Sequence, residues 1–520
     1  MKNIGWVRTL VLLCLGLAIS ACGGSSSGTS GGPAPFDTAK GEGVLDSSSS
    51  VTSYATGGSG AGPADDSTVP PLNAYYLATI CPSALSQAQC TQNQTNLDTP
   101  AFGNFNLGTD PIGNNPLGIT SISALKITYG AINVNGAPVT VSGGVVVPQT
   151  DAFKGIILYF HGTVAQRSNV PSNFLTDSNP NGNSNGPLLA ATWASQGYIV
   201  VMPDYIGLGD DTANPHPYVL YPRVNAQSGL AMVKAVQQAH FSHKFHMPLY
   251  ITGYSEGGAY ALEAGRLMQG NPRYASALGA SLKDVSPFSG VYDVSGSELP
   301  FLLANITAAD KQSPPWFPED PTTTLIAKPY VSADLALSFS HYQNIAATDI
   351  VAGAFYNCTS ANLPMCGTSG TLDGLFYQST ISEISIITTA FSQATQTDYS
   401  GSNNSVTPLL TSTYANALSN QDLSNPLYAA IVEANTYPFT PKFPLALLSL
   451  QMDSVVTRVN TDVAFSYMID KNPKGPYQEI LVDNNDFITP GLLFGTAPVD
   501  HLGELPFMAI AALNQFNVHP

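Results

Sequence analysis

The sequence predicts an α/β fold, a mostly parallel central sheet covered by helices on both faces. Three observations predict it. Short apolar runs alternate with stretches of helical periodicity between residues 121 and 293. The alternation fails over residues 294–440, which carry prolines and Ser/Thr/Asn clusters, and resumes over 441–520. Between a buried run and a helical stretch lies Gly253-Tyr254-Ser255-Glu256-Gly257, a small-residue turn of the kind that closes a strand directly onto a helix. A chain of 520 residues, 44% hydrophobic and 10% charged, can bury a large core and is not a highly charged disordered polymer.

The N-terminus reads as an export signal. Lys2 and Arg8 precede or open an apolar run, residues 10–19, that is too short to span a bilayer. The run ends in Ile19-Ser20-Ala21-Cys22, which resembles the lipobox of bacterial lipoproteins. The resemblance implies that residues 1–21 are removed and that Cys22 is lipidated. The protein would then be exported and anchored to the cell envelope by its N-terminal lipid. Gly23, where an acidic residue would signal retention, points to the outer membrane. The alternative is an ordinary signal peptide with an incidental cysteine. Residues 22–71, rich in Gly, Ser, Thr, Ala and Pro, read as a flexible tether.

The core is then expected over residues 72–293 and 441–520, with 294–440 as a lid or cap inserted after the sixth core strand. A second, independent domain is the other reading of that segment. Residues 125–134 and 139–147 read as strands joined at Asn135-Gly136, and 155–160 as a fully buried parallel strand. Helix 187–196, strand 198–202, helix 223–240, strand 248–252, helix 257–268 and strand 285–292 follow. After the insertion come strand 443–450, helix 458–468, strand 477–482 and helix 503–516.

Composition removes several classes of function. Lys+Arg is 18 against Asp+Glu 35, a net charge of −17, and loss of Lys2 and Arg8 makes it more negative. That disfavours nucleic acid and polybasic attachment to anionic lipid. Beyond Cys14 and Cys22, four cysteines remain, and the local pairs Cys81–Cys90 and Cys358–Cys366 are the simplest of three disulfide pairings. Zinc is disfavoured because neither pair has CxxC spacing. His240-x-x-His243-x-x-His246 lies too close to Pro248 for a metal-binding helix, and Asp483-Asn484-Asn485-Asp486 reads as a turn. No metal and no cofactor is expected.

The chemistry is expected at strand ends. At Ser255 a sharp turn would expose Oγ, with Gly253 and Gly257 avoiding clashes and the helix N-terminus aiming N–H groups at a developing oxyanion. With this motif the chain resembles the α/β-hydrolase superfamily, over residues 121–293 and 440–520. The resemblance implies an α/β-hydrolase fold and a triad ordered Ser, acid, His. Of eight histidines, only His501 lies after the final predicted strand and before the final helix. Asp453, in Gln451-Met452-Asp453-Ser454-Val455-Val456, resembles the family's acid after the seventh strand, and Asp293 is the alternative. His161-Gly162-Thr163 resembles the His-Gly oxyanion loop of lipases and esterases. This implies the N–H groups of Thr163 and Glu256 as oxyanion donors and a structural His161. Pro203-Asp204-Tyr205-Ile206-Gly207-Leu208-Gly209, with His216-Pro217-Tyr218 beyond it, resembles a loop of secretory lipases.

The expected activity is hydrolysis of a small-molecule or lipid carboxylic ester through an acyl-enzyme. A serine peptidase like the prolyl-oligopeptidase group, and an inactive hydrolase fold serving as a surface-binding lipoprotein, are the alternatives.

Overall fold

The structure is a computed structural model. It describes residues 34–55, 79–99, 102, 117, 119–164, 167–173, 186–214, 220–240, 246–304, 321–352, 409–490 and 496–520. Short runs such as GIILYF and YIVVMP are too apolar to leave a face in water, and they form strands buried along their whole length. In chain order the elements are β1 (Leu45–Ala55), α1 (Gln87–Leu97), β2 (Ser121–Ile132), β3 (Pro138–Pro148), β4 (Gly155–Phe160), α2 (Gly186–Thr192), β5 (Tyr198–Pro203) and α3 (Pro222–His240). Next come β6 (Met247–Gly253), α4 (Glu256–Gly270), α5 (Arg273–Leu278) and β7 (Ala280–Val285). The segment after β7 carries α6 (Leu299–Leu303), α7 (Pro321–Gln343), α8 (Ala347–Ile350), α9 (Ser412–Ser419) and α10 (Pro426–Glu433). The chain ends with β8 (Leu445–Leu450), α11 (Val459–Lys471), β9 (Tyr477–Val482), the hairpin β10 (Ile488–Pro490) and β11 (Thr496–Pro498), and α12 (Leu505–Val518).

Nine strands form one sheet in the order β1-β2-β3-β5-β4-β6-β7-β8-β9. The pairs from β1 through β3 to β5 are antiparallel, and those from β5 through β4 to β9 are parallel. Alternate side chains point to opposite faces of a strand, and the core divides accordingly. Ile156, Leu158 and Phe160 pack with residues of α3 and α4 in one cluster, while Ile157 and Tyr159 pack with α2 and α12 in the other. The indole N–H of Trp193 donates to the carbonyl of Ala509 (2.8 Å), tying the end of α2 to α12 on the second face. The architecture is the expected one, a mostly parallel sheet with helices on both sides.

The sequence reading needs correction at its N-terminal boundary. The expected tether over 22–71 contains β1, which pairs with β2 from Leu45↔Tyr129 to Ala55↔Ser121. Chain contacts divide at Ala34/Pro35 instead. An edge strand is held by backbone bonds, so its LDSSSSVTSYA sequence needs little apolar periodicity. Phe36 supplies the anchor, buried and edge-on to Tyr274 with centroids 5.4 Å apart.

The expected strand over 285–292 also moves: the strand is Ala280–Val285. Its half-buried Ser281 and Lys283 hide it from an apolar-run reading. Beyond Val285 the chain keeps only Phe288 in register, bridging Tyr254 on one side and Leu448 on the other.

Between β7 and β8 the described residues are helical apart from connecting loops, and they do not separate into a unit of their own. Leu299, Leu302, Leu335, Ile350, Leu427 and Ile431 line a small, open-sided apolar hollow there. Among the described residues no helix is long and apolar enough to cross a membrane. Residues 1–22, with the expected signal and Cys22, lie outside the described residues, as do Cys358, Cys366 and the His216-Pro217-Tyr218 stretch. Cys81 and Cys90 are disulfide-bonded, with Cα atoms 5.0 Å apart.

Candidate active site

Strand β6 ends at Gly253 and α4 begins at Glu256, which leaves two residues to reverse the chain. Ser255 takes φ +58° and ψ −122°, a strained conformation for a residue with a side chain. The neighbouring glycines are forced by packing. A Cβ on Gly253 would stand 2.1 Å from the carbonyl oxygen of Gly257, and one on Gly257 would stand 2.2 Å from that of Phe160. The end of β4 therefore lies directly against the turn. The Ser255 N–H donates to the Phe288 carbonyl (3.1 Å), which fixes the turn from its other side.

The loop after β8 carries Asp453, and the turn before α12 carries His501. His501 Nε2 lies 2.9 Å from Ser255 Oγ, and Nδ1 lies 2.7 Å from Asp453 Oδ2. All three residues are buried, at 8% exposure for Ser255, 3% for Asp453 and 2% for His501. Asp453 Oδ1 accepts the N–H groups of Val455 (2.9 Å) and Val456 (2.8 Å), which fix the carboxyl in place. An Nδ1–H donated to Asp453 leaves the Nε2 lone pair facing the serine hydroxyl. Such a relay can accept a proton from Ser255 and hold the imidazolium beside a carboxylate.

Asp293, the alternative acid, is elsewhere. It caps the helical turn that follows it, accepting Gly296 N–H (3.1 Å) and Ser297 Oγ–H (2.8 Å). Asp500 braces the backbone, accepting the N–H groups of Ser454 (3.0 Å) and of His501 (2.7 Å). Burial and the nearby Asp453 charge push its carboxyl up to about 6.

The two expected oxyanion donors lie on loops that touch. Thr163 Oγ1 donates to Glu256 Oε2 (2.7 Å), joining the loop after β4 to the first residue of α4. Glu256 also accepts the Tyr260 hydroxyl and the Leu220 N–H (3.4 Å). Burial raises its carboxyl to about 7 against these bonds. The first N–H groups of a helix have no acceptor within it, and Glu256 is the first residue of α4. A Cβ on Gly162 would meet Ser255 Cβ at 3.4 Å, so the His161-Gly162-Thr163 loop runs beside the serine.

His161 is structural, as expected. Its Nδ1 lies 2.6 Å from the Gly162 carbonyl and its Nε2 3.2 Å from that of Asp204, and its ring stacks on Tyr205 at 4.0 Å. Burial lowers its imidazole to about 4, so it is neutral at physiological pH.

Sequence reading missed several contributors. Tyr254 lies against the His501 ring (4.9 Å between centroids), and its hydroxyl donates to the His501 carbonyl. Glu504 is wholly buried three residues beyond His501. That spacing puts it one turn on, the only signal available in the sequence. Among the described residues, one cluster has metal-ligand spacing: Asp453, His501 and Glu504. The bonded Asp453–His501 pair thus accounts for it. His246 Nε2 bonds Ser281 Oγ and His240 Nε2 lies 3.4 Å from Ser48 Oγ, while His243 is outside the described residues. Asp483 caps a short turn at Asn485 (3.0 Å), as its spacing suggested.

No protein-family model matches the chain, and no curated protein matches it in sequence. Solved structures do. A provisionally assigned hydrolase of Legionella pneumophila superposes with a TM-score of 0.58 at 19% identity, covering 91% of this chain and 98% of that one. The rice cell wall degrading esterase LipA of Xanthomonas oryzae superposes with a TM-score of 0.56 at 19% identity, covering 85% and 91%. The chain has the α/β-hydrolase fold.

Proposed function

We propose that the protein is a serine hydrolase of carboxylic esters. The carrying observation is the unbroken buried relay from Asp453 through His501 to Ser255, with Ser255 held on a strained turn at a helix N-terminus. Esterases are among the structures of the same fold, which agrees with this reading.

In the proposed reaction Ser255 Oγ attacks the ester carbonyl while His501 Nε2 takes its proton. The N–H groups of Glu256 and Thr163 stabilise the oxyanion. His501 returns the proton to the departing alcohol, and water then releases the acyl group by the same route. Asp453 holds the ring tautomer and stabilises the imidazolium.

We read residues 294–440 as the lid over this site, its apolar helices suited to an acyl chain. We also read Cys22 as the lipid anchor of an exported protein. The order of charged start, short apolar run and small residues before the cysteine supports this. Labelling with radioactive palmitate that is lost in Cys22→Ala tests the anchor.

The activity is tested on a fragment starting at Pro35, the boundary set by β1, with p-nitrophenyl esters of increasing acyl length. Turnover lost in Ser255→Ala supports the reading. Turnover of a prolyl-peptide anilide without ester turnover makes the protein a peptidase. Failure of folded protein to turn over either substrate or to react with a fluorophosphonate leaves a binding protein.

A further inference from the structure

A second carboxyl faces the same imidazole nitrogen as Asp453. Glu504 Oε1 stands 3.6 Å from His501 Nδ1, against 2.7 Å for Asp453 Oδ2. That oxygen is buried and has no hydrogen-bond partner among the described residues. Its twin, Oε2, accepts the Ser289 hydroxyl at 2.8 Å. Ser289 is itself fixed, with φ +45° and its N–H on the Leu448 carbonyl at 2.8 Å. An unbonded carboxylate oxygen is costly to bury, so its place beside Nδ1 calls for a role.

We propose that Glu504 is a positioning residue, the reserve acceptor for the Nδ1–H of His501, able to hold the ring in line when the charge of Asp453 is absent. This rests on the serine-hydrolase reading above. Two carboxyls so close cannot both ionise cheaply. Asp453 has two backbone N–H groups on its far oxygen, a stabilisation that Glu504 Oε1 lacks among the described residues. Glu504 faces the carboxylates of Asp453 and Asp500 and lies near the Tyr254 and Tyr292 hydroxyls, with His501 beside it. Burial and the Asp453 charge hold its carboxyl well above the usual range. That shift favours its neutral form in the native site. Oε2 accepts the Ser289 hydroxyl, which leaves Oε1 as the oxygen beside Nδ1–H. Removing the Asp453 charge lets Glu504 release its proton to solvent, and its carboxylate then pairs with the imidazolium formed as Ser255 is deprotonated.

The test compares Asp453→Ala, Glu504→Gln and the double variant by kcat/KM for a p-nitrophenyl ester and by the rate of fluorophosphonate labelling, from pH 5 to 9. Labelling reads the Ser255–His501 pair whatever the natural substrate is. We expect Asp453→Ala to stay about tenfold or more above the double variant. Its activity should rise with pH as Glu504 ionises, a limb that the double variant lacks. Glu504→Gln alone should lose about threefold. A double variant equal to Asp453→Ala, with no difference in pH profile, overturns the proposal. Asp453→Asn, similar in shape to the native side chain, replaces Asp453→Ala if the latter fails to fold. Absence of labelling in folded wild-type protein rejects the hydrolase reading itself, whereas equal single and double variants in a labelling enzyme reject only the role of Glu504.

Discussion

On the antiparallel side of the sheet, β1 to β3 hold one another by long runs of backbone pairing, from Leu45↔Tyr129 to Ile132↔Pro138, and β1 can be largely serine and threonine. On the parallel side, β7 and β8 share a single pair, Val285↔Leu445, and packing by helices on both faces supplies what pairing does not. The candidate chemistry is confined to the second side. Parallel strands all end on one edge, so the loops after β4, β6, β8 and β9 converge there with Thr163, Ser255, Asp453 and His501. Antiparallel strands alternate in direction and gather nothing. The teaching is that one half is held chiefly through its main chain, while in the other the positions where no side chain fits also shape the candidate site.

That contrast can be broken at graded cost. The largest effect is expected for Ser255→Ala: about 10⁴-fold or more off kcat/KM in an ester assay, with an unchanged melting temperature. Survival of turnover would move the chemistry to another residue. Gly257→Ala comes next, because its new methyl meets the Phe160 carbonyl at 2.2 Å and that of His161 at 2.5 Å. A loss of about 3 kcal/mol in urea unfolding is expected, together with loss of activity, since the oxyanion loop must shift.

A third variant reads electrostatics. Glu256 binds its proton more tightly in the folded state, at about 7, than its ordinary 4.5. It therefore costs nothing below about pH 4.5, and opposes folding increasingly as pH rises to about 7. Above that the cost is constant. Glu256→Gln should gain on the wild type by about 2–3 kcal/mol between pH 4.5 and 7.5 in pH-dependent denaturation, with the sign reversed if the native carboxyl is ionised throughout. The smallest effect is expected on the antiparallel side. A Cβ at Gly130 meets the Gly41 carbonyl at 2.1 Å. Gly130→Ala should destabilise by about 1–2 kcal/mol and leave kcat/KM within twofold. A large loss of kcat/KM there would show that the two halves are coupled.

Strands β4, β5, β6 and β8 were legible because each is short, largely apolar and bounded by turn residues; β9 was placed to the residue at 477–482 despite Gln478 and Glu479, and β7 was not. Ser255, Asp453 and His501 were legible because the turn chemistry and the order along the chain carry them. What escaped is held by the backbone or by charge. Strand β1 pairs through its main chain and shows no periodicity. The segment after Val285 looks like a strand because it is apolar, yet only Phe288 is in register. Glu504 has no mark in the sequence beyond its spacing from His501, and its burial beside Asp453 is what distinguishes it.

The bridge at Phe288 has a metrical consequence. Its N–H donates to the Gly253 carbonyl (2.9 Å), its carbonyl accepts from Ser255, and the Ser289 N–H reaches Leu448. Ser255 and the strand that leads to Asp453 are thereby rungs of one ladder, with a single chain between them. Neighbouring strands are about 4.8 Å apart, so the gap is about 10 Å, a width that one imidazole with a hydrogen bond at each end can span. The sheet acts as a gauge block: it sets the opening into which His501 fits, and the loops have only to deliver the ring to a slot already cut to size.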